Sequence, residues 1–86
     1  MQKLTSIMWS KILKKQQLYP DATIRMVNDL NKDIYMLQYR LIKWNENEAT
    51  LEPLSLNDNL LREDMRVRFT IALSDLLKGT YQIQTN

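Results

Sequence analysis

Four lysines, Lys3, Lys11, Lys14 and Lys15, stand in the first twenty residues with no Asp or Glu among them. Cations at this density make phosphate contacts through a salt-dependent attraction that is blind to base sequence. Arg66 and Arg68, two positions apart, share one face of any strand that carries them, with Arg40 a candidate neighbour. Guanidinium groups beside an aromatic ring on a sheet suit single-stranded nucleic acid, which they hold by charge and stacking. Lys11, Lys14, Lys15, Arg66 and Arg68 are therefore the candidate nucleic-acid contacts. The competing reading is plain: lysines opposite an apolar face are the solvent side of a packed helix. A net charge of only +2 also weighs against a dedicated nucleic-acid binder. Tyr35, Tyr39 and Trp44 form the second group, because Tyr and Trp dominate protein interfaces. Alternation along one strand puts the two tyrosines on the face opposite Trp44, so one face would be core and the other a partner site.

Other chemistries lack their residues. The chain has no cysteine and no histidine, which excludes disulfides, thiolate or imidazole metal sites, and Cys–His or Ser–His–Asp catalysis. Gly79 is the only glycine, too few for a phosphate-cradling or dinucleotide-binding loop. The carboxylate pairs Glu46/Glu48 and Glu63/Asp64 sit beside turn residues and read as solvated. Asp58, Glu63 and Asp64 do not follow calcium-loop spacing. Lys14, Tyr39 and Tyr81 have no neighbour in sequence that would tune them for proton transfer. The expectation is a protein without catalysis, cofactor or metal.

The elements that must position these residues follow from periodicity. Over residues 3–17, Leu4, Met8, Trp9, Ile12 and Leu13 fall on one half of a helical wheel and the lysines on the other, with Ile7. Pro20 would end that helix. Beyond it, polar clusters at 28–33, 45–48, 57–59 and 78–80 favour turns. Between them lie Ala22–Val27, Ile34–Trp44, Ala49–Leu56, Met65–Leu73 and Thr80–Gln84, each of strand length. Met65, Val67, Phe69, Ile71 and Leu73 alternate with Arg66, Arg68, Thr70 and Ala72, which puts five apolar side chains on one face. Pro53 assigns its strand to an edge or a bulge. The expected fold is α+β: an amphipathic N-terminal helix on a small antiparallel five-stranded sheet or half-barrel. The alternative is an all-α three-helix bundle, because Val27, Leu30, Ile34, Leu37, Leu41 and Trp44 also keep heptad spacing.

A length of 86 residues allows one modest core, so residues 1–86 read as a single domain. No apolar run is long enough to span a bilayer. The first twenty residues lack the uninterrupted apolar stretch of a secretory signal, and the expected setting is intracellular, cytoplasmic or viral. A helix over 3–17 could lie on a membrane surface only if the sheet did not need its apolar half. The expected partner is a protein or a second copy of the chain, met by β-edge pairing or by aromatic burial. A nucleic-acid-binding accessory role is the alternative.

Overall fold

The computed structural model describes residues 8–27, 37–57 and 59–85. Among these residues seven strands make one antiparallel sheet: β1 (Met8–Lys11), β2 (Thr23–Met26), β3 (Leu37–Trp44), β4 (Glu48–Leu56), β5 (Asn59–Leu60), β6 (Phe69–Ala72) and β7 (Tyr81–Thr85). Their order is β1-β7-β2-β3-β4, with β5 and β6 sharing the far edge of β4. The sheet curls into a half-barrel. The only α-helix among the described residues is α1 (Leu73–Leu76), four residues long.

This corrects the expected α+β architecture. The segment assigned to an amphipathic helix contributes β1 and a single 3-10 turn at Lys15–Gln17. β7 would otherwise present a bare ladder edge, and β1 pairs with it from Met8↔Thr85 to Lys11↔Gln82. Tertiary pairing of this kind overrides local helical patterning. Of the apolar half-wheel, Ile12 is fully buried while Met8 and Leu13 stay exposed. With no helix over residues 8–17, the membrane-surface reading of that segment loses its basis. The three-helix alternative fails too, since β2, β3 and β4 occupy its second helix and following loop. Residues 28–36, with the expected turn at 28–33 and Tyr35, lie outside the described residues.

The other strand segments overlap their expected positions: β2 is one residue shorter at each end, β4 starts one residue earlier, and β7 is displaced by one residue to Tyr81–Thr85. The apolar rhythm of Met65–Leu73 is strand only over β6: Glu63–Met65 is a 3-10 turn and Leu73 opens α1. Two turns form as their residues dictate. Asn45 Oδ1 accepts the Asn47 and Glu48 N–H groups at 2.7 and 2.9 Å and closes the β3–β4 hairpin. Asn57, at φ 52°, leads the two-residue connection to β5.

The core lies inside the curl. Ile12, Ile24, Leu41, Leu51, Leu76 and Ile83 are its largest fully buried side chains, each contributing roughly 1.5–3 kcal/mol by burial. α1 folds back over β4 and β6 and delivers Leu73 and Leu76 to that core. The chain then turns at Gly79 with φ 91°, where an added Cβ would come within 3.3 Å of Leu13 Cδ2. Gly79→Ala is expected to lower stability by about 1–2 kcal/mol through left-handed strain, read by urea denaturation.

Candidate binding surfaces

β3 carries most of the sequence-predicted aromatic site, and a bulge redirects it. The β3–β4 register shifts between Leu41 and Lys43 and again between Gln38 and Tyr39. The first shift makes Ile42 an extra residue, so parity reverses along β3 and Tyr39 and Trp44 share the inner face. Both are half-buried and pack against the core. Tyr39 meets Phe69 edge-on, ring centroids 5.4 Å apart. The second shift makes Leu54 the extra residue of β4 beside Pro53, the bulge that a proline in this strand calls for. Burial pushes the Tyr39 and Tyr81 hydroxyl pKa values up, away from proton transfer near neutrality.

The candidate cations scatter. Lys11 lies on the outer face of β1, and Lys14 and Lys15 follow it in the turn, all exposed. Arg66 donates from Nε to the Leu61 carbonyl at 2.9 Å, tying down the 61–66 excursion. Arg68 is bound to Glu52 at 3.1 Å. Asp64 pairs with Arg62, and Asp58 lies outside the described residues.

The outer face holds residues that sequence reasoning missed. Trp9 leaves the core and receives the Arg25 guanidinium over its ring, 4.1 Å from the centroid. Arg25 also donates from Nε to Gln82 Oε1 at 2.7 Å. Arg40 and Arg68 converge on Glu52, only 7% exposed, at 3.0 and 3.1 Å. Arg40 Nε is buried without a partner. Alternation of Thr23 and Arg25 against Ile24 and Met26 was the available signal for this face, while Trp9 was hidden by its helical assignment. At the hairpin end, a shallow cleft of about 250 Å³ is lined by Lys43, Trp44, Asn45, Glu48, Thr50 and Thr70.

The Arg68 hydrogen bond, with the charges of Arg40 and Arg68 behind it, holds the Glu52 carboxyl below the usual range despite its burial. A depressed folded value gives stability that is complete above the unfolded value, about 4.3. That contribution is lost as pH falls through the lower folded value. The melting temperature is expected to drop between about pH 5 and pH 3, and Glu52→Gln to flatten that step. An unchanged acid limb in Glu52→Gln would contradict the assignment.

The two lateral edges of the sheet differ. Ile12 N–H reaches the Tyr81 carbonyl at 2.9 Å, so alternate residues Ser10 and Met8 also bond toward β7, and Trp9 and Lys11 point their backbone groups outward. Gln17 occupies this edge like a strand. Its Nε2 donates to the Lys11 carbonyl at 2.8 Å, and its Oε1 accepts the Leu13 and Lys14 N–H groups at 2.7 and 2.9 Å. On the far edge, Leu73 N–H bonds to the Asn47 carbonyl at 2.9 Å. By the same alternation, Ile71 and Phe69 bond toward β4, and Thr70 and Ala72 point outward. Among the described residues β6 pairs only with β4. Along the same edge of β4, Leu60 of β5 is 72% exposed, and Met65 and Val67, which precede β6, are 55% and 71% exposed.

No family model matches the chain, and no curated protein and no solved structure matches it either.

Proposed function

We propose that this chain is a small binding protein without catalysis that pairs with a second copy of itself along β6. The observation that carries this reading is the contrast between the edges. Unpaired strand edges template association, and native sheets blunt them with charge, proline or a covering segment. On β1 the Gln17 amide caps the C-terminal end, taking the Lys11 carbonyl and the Leu13 and Lys14 N–H groups that follow it. Among the described residues nothing caps β6, its sequence Phe-Thr-Ile-Ala is uncharged, and exposed apolar side chains precede it at Met65 and Val67.

The register follows from what is already used. A two-fold axis at Ile71 would set Phe69 opposite Leu73 of the second copy, which is buried in its own core. An axis at Thr70 instead sets Phe69 opposite Ile71, an aromatic and β-branched pair that favours strand association. It also sets Arg68 opposite Ala72, whose cross-strand neighbour is Glu48, so a cation of each copy approaches a carboxylate of the other. Aromatic burial across Tyr39 and Trp44 is not the route, because both already face the core.

An interface built on so short a strand belongs at the small, transient end of the range. Sedimentation velocity over a concentration series is expected to show monomer–dimer exchange in the micromolar range or weaker. A monomer at every concentration would overturn the reading.

A further inference from the structure

The outer face of the sheet carries a second inference, independent of the β6 edge. Cross-strand registers line up Trp9, Gln84, Thr23, Arg40 and Glu52 in one strip across five strands, continued by Arg68, which precedes β6 and is bound to Glu52. At about 4.8 Å per strand the strip is about 24 Å long. Beside it runs a parallel row with Lys11, Gln82, Arg25 and Gln38. Among the described residues, Lys11, Arg40, Lys43 and Arg68 share this surface with two carboxylates, Glu48 and Glu52. The excess is positive.

We propose that this strip binds single-stranded nucleic acid. Charge complementarity selects a polyanion, and Trp9 selects one with flat rings. Arg25 holds one face of the Trp9 ring, and among the described residues no strand lies beyond β1, so the other side of the ring is the stacking platform for a base. The Gln82 and Gln38 side-chain oxygens accept from Arg25 and Ser55, which leaves their NH2 groups as donors to base edges beside the cations that meet the phosphates. A strip of this length takes a short oligonucleotide, within the roughly 4–16 nucleotides that small β-domains occupy. Double-stranded helices are excluded as the preferred form, since their bases are already stacked and paired.

The test is fluorescence anisotropy with labelled oligothymidylate and oligouridylate, at low and at physiological salt, with polyglutamate as competitor. Three or four phosphate contacts predict a log–log salt slope of about −2 to −3. Trp9→Ala is expected to weaken binding about fivefold to a hundredfold, with Trp9→Phe retaining most of it. Lys11→Glu, at an exposed position on β1, reads the electrostatic part should Trp9→Ala fail to fold, and is expected to weaken binding at least tenfold at low salt. Absence of binding at low salt overturns the proposal. So does equal competition by polyglutamate, which would make this a surface for acidic protein segments, and so does indifference to both Trp9→Ala and Lys11→Glu. Repeating the titration with the Thr70→Pro variant separates this site from self-association, because the strip belongs to one copy.

Discussion

Replacing Thr70 with proline is expected to abolish the dimer while leaving the fold in place. The Thr70 N–H points away from β4, so proline removes a donor that the native ladder does not use. What is lost within one copy is small: a 3.5 Å approach of the Thr70 and Thr50 hydroxyls and some backbone freedom. What is lost between copies is the central pair of backbone hydrogen bonds, and the pyrrolidine ring then stands in the path of a second strand. The dissociation constant is expected to rise at least a hundredfold, a loss of about 2.7 kcal/mol, with the far-ultraviolet spectrum unchanged. Thr70→Lys, which places a charge on the edge as natural edge strands do, is expected to act in the same direction and guards against a proline that strains β6. Sedimentation velocity reads both. Persistence of the wild-type dimer in both variants would contradict the β6 assignment.

The second large effect lies at the opposite edge. Gln17→Leu removes the amide that satisfies Lys11, Leu13 and Lys14. Each lost hydrogen bond contributes about 1 kcal/mol or less, because water replaces the amide at this surface. Stability is expected to fall by about 1–2 kcal/mol. The larger consequence is association. A chain with one open edge closes as a dimer; with two, each dimer offers β1 at both ends and growth has no natural stop. Gln17→Leu is expected to form high-molecular-weight species whose amount rises with concentration, seen by light scattering. Combining it with Thr70→Pro should return the species to a closed size, since only β1 would then be open. If Gln17→Leu remains as small as the wild type, Gln17 is only a local brace.

How much of this was legible in the sequence depends on whether a signal was local. The turns at Asn45 and Asn57 could be read because Asn makes its own backbone contacts. The strands holding Ile24, Leu41, Leu51 and Ile83 could be read because alternation reports burial directly. An edge or a bulge at Pro53 followed from the missing donor, and the strand takes the bulge, at Leu54. The N-terminal segment could not be read in this way. Met8, Trp9, Ile12 and Leu13 satisfy a helical wheel, and only the unpaired edge of β7, more than sixty residues away in sequence, decides for a strand. That error hid both Trp9 and Gln17. Trp9 was counted as core, whereas it lies under the Arg25 guanidinium, and Gln17 meant nothing until β1 existed for it to cap.

The aromatic site was misread for a different reason. Tyr39 and Trp44 were placed on opposite faces by counting in twos, and the extra residue Ile42 breaks the count. No single-residue signal at Ile42 announces a bulge; the hydrophobic inner face enforces it, by bringing both Leu41 and Trp44 to the core. Among the cations, Arg66 and Arg68 were expected to project together and instead take separate partners, because the strand begins only at Phe69. Arg68 then meets Glu52 across β4, and Arg66 turns back to Leu61.

The pairing of β6 with β6 is tested most directly by a single cysteine. The chain has none of its own, so Thr70→Cys is a unique reporter. A two-fold axis at Thr70 brings the two Cα atoms to about 5.5 Å, within reach of a short bifunctional thiol reagent. The account predicts a covalent dimer from Thr70→Cys and none from Lys11→Cys on the capped edge, both assayed at concentrations where sedimentation shows the dimer. Cross-linking from Lys11→Cys with Thr70→Cys left monomeric would contradict it.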